Sequence, residues 1–175
     1  MKKKIIIIIA FLTLISGCSR GKGPDTAGVS VGSKAPNFSL IDLSGQKVEL
    51  KDFKGKAVLV NFWATWCFPC REEMDDLKAS YDKYRDKGMV IIGINIKEGK
   101  DLVKKMTDSL NITYPILLDS DGKISEAYNI FGVPSSFFID KDGIIKDVVL
   151  GEMTEDMIVE KIDKLVSISQ SGERK

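Results

Sequence analysis

The chain has 175 residues, with 26 lysines and arginines against 25 aspartates and glutamates, a formal charge of +1. So balanced a surface carries no electrostatic footprint for nucleic acid. It holds three cysteines and no histidine, which excludes a Cys–His nucleophile pair and leaves a zinc site short of its usual four thiolate or imidazole ligands.

Met1-Lys2-Lys3-Lys4 is a positive start, and Ile5 to Ile15 is an apolar stretch too short to span a bilayer, where a helix needs about 20 residues. This pattern predicts a cleavable export signal over 1–17. Ile15-Ser16-Gly17-Cys18 resembles the bacterial lipobox, in which the cysteine is lipidated and becomes the new N-terminus. Acyl chains on Cys18 would hold the protein at a membrane and remove the odd thiol. Residues 18–33, rich in Gly and Ser, read as a flexible tether, followed by one globular domain over 34–168 and a polar tail over 169–175. The compartment is extracytoplasmic, where disulfides persist.

Phe38 to Ile41 and Lys47 to Leu50, around a turn at Asp42-Leu43-Ser44-Gly45, predict a hairpin. A buried strand follows at Ala57–Trp63, then a helix from about Cys67 to Lys87 with Glu72 and Glu73 favourably placed in its first turns. Met74, Leu77, Tyr81 and Tyr84 line its core face. Met89–Ile96 reads as a strand covered on both faces, and Lys100–Leu110 as a polar-faced helix. Next come a short strand at Ile116–Leu118, a turn at Asp119-Ser120-Asp121-Gly122, a helical turn near Ser125–Tyr128 and a strand at Ser136–Ile139. Lys141-Asp142-Gly143 turns the chain into Ile144–Leu150, and a last helix over Thr154–Val166 buries Met157, Ile158, Ile162 and Leu165. Strands alternating with helices and ending in an antiparallel pair define an α/β fold with a mixed central sheet.

Cys67-Phe68-Pro69-Cys70 sits between the buried strand and the first helix. A helix start offers unpaired N–H groups and the positive end of the macrodipole, which favour the thiolate that attacks in thiol–disulfide exchange. As a structural staple, so short a loop would remove little entropy from the unfolded chain. The motif points to redox chemistry.

Trp66-Cys67-Phe68-Pro69-Cys70, Asn95-Ile96-Lys97-Glu98 and Gly132-Val133-Pro134-Ser135-Ser136-Phe137-Phe138-Ile139 follow in order. Together they resemble the thioredoxin superfamily, specifically the membrane-tethered TlpA/ResA-like thiol–disulfide oxidoreductases, with an AhpC/TSA-redoxin-like domain over roughly Val31 to Val166. The resemblance implies a thioredoxin-like fold with an N-terminal β-hairpin and an inserted helix. It also implies a cis Val133–Pro134 bond facing the cysteines, with Val133 and Pro134 docking the substrate strand beside Trp66, Phe68 and Pro69. By the same resemblance Cys67 attacks, Cys70 resolves, and Glu98 supplies a carboxyl of raised pKa near the thiols. Asn61 stands where the cytosolic thioredoxin pattern has a buried aspartate, and Phe68 where relatives often carry glutamate.

The implied function is reduction of envelope disulfides, as in cytochrome c maturation, by a monomer that needs no metal or cofactor beyond its Cys67–Cys70 disulfide. A membrane thiol donor would recharge it. A peroxidase is one alternative, although Val60 and Ala64 occupy the proline and threonine places of the peroxiredoxin pattern P-x-x-x-T-x-x-C. An oxidant of secreted thiols and a module that only grips a client are the others.

Overall fold

Ala57–Trp63 (β3) and Met89–Ile96 (β4) are apolar without alternation because both faces of each strand are covered, and they pair in parallel at the centre of the sheet. They belong to a computed structural model that describes residues 29–171, with side chains as far as Ser167. Cys18, the leader and most of the tail lie outside the described residues. The first hairpin is Ser39–Asp42 (β1) and Lys47–Glu49 (β2). Phe68–Tyr84 (α1) joins β3 to β4, and Lys100–Ser109 (α2) leads to Ile116–Asp119 (β5). Lys123–Ala127 (α3), Ser135–Ile139 (β6), Ile145–Leu150 (β7) and Glu155–Ser171 (α4) complete the described chain.

The seven strands lie in the order β2-β1-β5-β4-β3-β6-β7. β3, β4 and β5 are parallel, and the strands on either side of them are antiparallel, so the sheet is mixed as expected. Alternation along β3 divides the core. Leu59 and Trp63 pack with Met74 and Leu77 of α1 and with Ile158, Ile162 and Leu165 of α4. Val58, Val60 and Phe62 face the other way, against Phe38, Tyr128 and Phe137. Phe62, Tyr128 and Phe137 form a tilted and edge-to-face cluster with centroids 5.1 to 5.8 Å apart.

Two expectations need correction. Met157 is 38% exposed, and Met153, just ahead of α4, is buried instead. The final helix turns its buried stripe through Ile158, Ile162 and Leu165, and this 4-then-3 spacing leaves position 157 outside. Glu73, read as favourably placed in the first turns of the helix, lies beyond the first turn and is only 1% exposed.

Asp119 explains why the segment after β5 is a turn. Its buried carboxylate accepts from the Ile124 and Ser125 N–H groups and from the Ser125 hydroxyl, capping α3, while Gly122 takes the left-handed φ of +75° that the turn requires. At the other end of the sheet, Gly32, Ser33 and Ala35 exchange backbone hydrogen bonds with Gly143 and Ile145, so the last residues of the stretch read as tether are fastened to the domain.

Candidate active site

Cys67 is the N-cap of α1, and the Cys70 N–H donates to its sulfur at 3.2 Å. Pro69 falls at the start of the helix, where a missing N–H costs nothing. The two cysteines are joined as a disulfide. Both cysteines are buried, with Cys67 (4% exposed) slightly the more accessible residue and Cys70 at 1%. When the pair is reduced, the N–H directed at Cys67 and the helix dipole both favour its thiolate.

The Val133–Pro134 peptide bond is cis, as the resemblance implied, and the Val133 carbonyl oxygen lies 3.6 Å from Cys67 Sγ. The Pro134 carbonyl is taken by the Gly151 N–H, whereas among the described residues no hydrogen bond occupies the Val133 N–H. Trp66 (75% exposed) and Phe68 (65%) stand out beside the sulfur. The structure adds two residues that the sequence reading omitted. Phe131 is 99% exposed two positions before Val133, and Leu150 is 78% exposed on β7, paired with Ser135 next to Pro134. Their signal was an apolar side chain at a loop or strand end with no partner pattern.

Glu98 lies half-buried in the loop after β4. Its carboxylate accepts from the Thr65 N–H (2.7 Å), the Thr65 hydroxyl (2.5 Å) and the Asn95 side-chain amide (2.7 Å). The carboxylate therefore grips the chain two residues ahead of Cys67.

A buried carboxylate follows the cysteines on the same helix: Glu73, one helical turn beyond Cys70. It accepts from the Asn61 side-chain amide at 2.7 Å and from the Met153 N–H at 3.0 Å. Burial pushes its pKa up to about 7; these two hydrogen bonds hold it down, and the carboxylates of Glu152 and Asp76 push it further up. Asn61 also donates to the Ser136 hydroxyl, so it ties α1 to β3 and β6. Nearby, Tyr114 is raised above the ordinary phenol range by burial and then by the negative charge of Glu73. Spacing offered one clue to Glu73: it follows Cys70 by three and precedes Met74 and Leu77, on the buried side of the helix.

A cysteine pair at the N-terminus of the first helix, facing a cis-proline at one end of a mixed seven-stranded sheet, defines a thioredoxin-like thiol–disulfide oxidoreductase. Residues 31–148 match the AhpC/TSA family, and the chain belongs to it. It is 36% identical over 169 residues to the thiol-disulfide oxidoreductase ResA of Bacillus cereus, covering 94% of this chain and 98% of the relative. The ResA of Bacillus subtilis is 34% identical, covering 98% and 99%. A crystal structure of a putative thiol:disulfide interchange protein DsbE from Chlorobium tepidum superposes with a TM-score of 0.75 at 28% identity, covering 79% of this chain and 99% of that one.

Proposed function

We propose that the protein reduces disulfides of proteins outside the cytoplasm, held to a membrane through lipid on Cys18. The observation that carries the reading is a Cys67 sulfur at a helix N-cap, set against a Val133 N–H that has no hydrogen bond among the described residues, inside an apolar rim. An extended substrate segment can pair with Val133 while its flanking apolar side chains cover Trp66, Phe68 and Phe131. Pro134 and Pro69 shape the two walls of that groove.

In the reduced enzyme the Cys67 thiolate attacks a substrate disulfide. One substrate sulfur leaves as a thiolate, and Cys67 is joined to the other. Cys70 gives its proton to the Glu73 carboxylate and attacks the Cys67 sulfur, re-forming the Cys67–Cys70 disulfide and releasing the second substrate thiolate. Two electrons have passed to the substrate, and a membrane dithiol donor must return them. Glu73 suits the proton transfer because it is buried with a pKa of about 7, so it exchanges protons at working pH. Glu98 acts through Thr65, holding the turn that presents Trp66 and Cys67.

Envelope proteins whose cysteines must be free before they receive a cofactor, such as apocytochromes c, are the proposed clients. The test of direction is the reduction potential of the Cys67–Cys70 pair, measured by equilibration of the full chain with a thiol buffer. A value near or below about −270 mV supports a reductant, whereas one near about −120 mV makes it an oxidant and overturns the direction.

A further inference from the structure

At the end of the sheet away from the disulfide, where β3 and β4 begin and β6 finishes, a cavity of about 270 Å³ opens to solvent. Lys34, Lys51, Lys54, Lys56 and Lys141 stand around it. Its floor is apolar, made of Phe53, Val58 and Ile139. Lys51 is held by Glu49 at 2.6 Å. Asp140, also on the wall, is engaged by Lys146 at 3.0 Å and by the Asp142 and Ile144 N–H groups. Lys34, Lys54, Lys56 and Lys141 have no ion pair among the described residues, and Asp142 is the remaining carboxylate of the lining. Four unpaired ammonium groups over an apolar floor complement a phosphate-bearing headgroup with its carbon skeleton turned inward.

The N-terminal segment leaves the domain at this same place. Gly32 donates to the Ile145 carbonyl (2.8 Å), Ile145 to Ser33 (2.9 Å) and Ala35 to Gly143 (2.9 Å), so the backbone beside Lys34 is pinned to the rim of the cavity. Ten residues lie between Cys18 and Val29, and they include Arg20 and Lys22 against Asp25. Their extended length cannot exceed about 40 Å.

We infer that the lysine-lined end of the domain rests on the anionic phospholipid headgroups of the bilayer that carries Cys18, which turns the Cys67–Cys70 disulfide away from the membrane. The inference rests on the lipid-anchor reading above. Attraction of lysines to an anionic surface acts within about one Debye length, roughly 10 Å at 0.1 M salt, and a tether of at most about 40 Å returns the domain to that range repeatedly, so that the lysine end is captured there. Docking in this geometry presents the apolar rim to soluble partners rather than to lipid, and recharging by the membrane dithiol donor takes place when the domain leaves the headgroups on its tether.

The test uses the full lipidated chain reconstituted in vesicles of phosphatidylglycerol or of phosphatidylcholine. A water-soluble acylating reagent labels exposed amines, and mass spectrometry reads each lysine. Lys34, Lys54, Lys56 and Lys141 should label about fivefold more slowly on the anionic vesicles, with protection lost near 1 M salt, where the Debye length falls to about 3 Å. Lys97 and Lys100, at the disulfide end, should label equally on both. Equal labelling of the four lysines on the two vesicle types overturns the docked geometry. Flotation with phosphatidylcholine vesicles reads the anchor separately. A chain that fails to float there overturns the anchor and the geometry with it, and one that floats but shows no differential labelling overturns the geometry alone.

Discussion

The redox pair lies between two unlike regions, an exposed apolar rim above and a buried polar floor below. The rim is Trp66, Phe68, Phe131 and Leu150, large apolar side chains left mostly in solvent. The floor is Glu73, Asn61 and Ser136, all nearly inaccessible and hydrogen-bonded to one another or to the backbone. Surface exposed without benefit to stability serves a partner, whereas polar groups buried at a cost in desolvation serve the protons and geometry of the reaction. Substitutions in the rim should therefore act on recognition, and those in the floor on pH dependence and folding.

The largest effect is expected at the junction of the two. Cys67→Ser should lower disulfide-reductase activity by about 10³-fold or more, to the uncatalysed background, because no other thiolate sits at the helix start. Cys70→Ser should instead trap a mixed disulfide with substrate, visible on a non-reducing gel. Normal turnover by Cys70→Ser would show that the division of labour is wrong.

In the floor, Glu73 links pH to stability. Its folded pKa of about 7 lies above the ordinary 4.5, so the folded state holds the extra proton between these values. The stability this contributes is complete below about pH 4.5 and is lost as pH rises through 7, amounting to about 3 kcal/mol by pH 8. Glu73→Gln should abolish that slope in denaturant titrations across pH 4.5–8. It should also move the acid limb of the pH–rate profile. An unchanged profile in both measurements would exclude Glu73 as the proton acceptor.

The same floor is intolerant of added volume. A Cβ on Gly93 would come within 2.7 Å of Ile116 Cδ1 and 3.1 Å of Trp63 Nε1. Gly93→Ala should destabilise the domain by about 1–3 kcal/mol, read as a lower melting temperature, with little change in the affinity for substrate. In the rim, Phe131→Ser should leave stability within about 0.5 kcal/mol, since the side chain is 99% exposed. It should raise KM for protein substrates by about three- to tenfold while leaving reduction of a small disulfide unchanged, and equal effects on both would deny the rim a docking role.

Legibility in the sequence follows the same division. β3 and β4 were readable to the residue because strands covered on both faces are written as unbroken apolar runs. The cysteine pair and the proline segment were readable because their chemistry sits in a local motif. Glu73 was not, because Glu72, Asp75 and Asp76 around it make the segment look like a solvated acidic face, and only the three-dimensional approach of Asn61 and Met153 shows that it points inward. Phe131 and Leu150 were missed for a related reason. They are distant in sequence, and Leu150 reaches the side of Pro134 only when β6 and β7 pair.

The fastening of residues 32–35 to Gly143 and Ile145 has a mechanical consequence. Any pull on the chain upstream of Val29 loads these three hydrogen bonds first, at the edge of the sheet where β7 lies. From there the β7–β6 and β6–β3 ladders, together with the packing of Ala35 and Phe38 against Val58 and Val60, spread the load over the whole sheet. A pull on the upstream segment is met first by a short peripheral clasp and then shared by the core, so no single contact at the Cys67 site bears it alone.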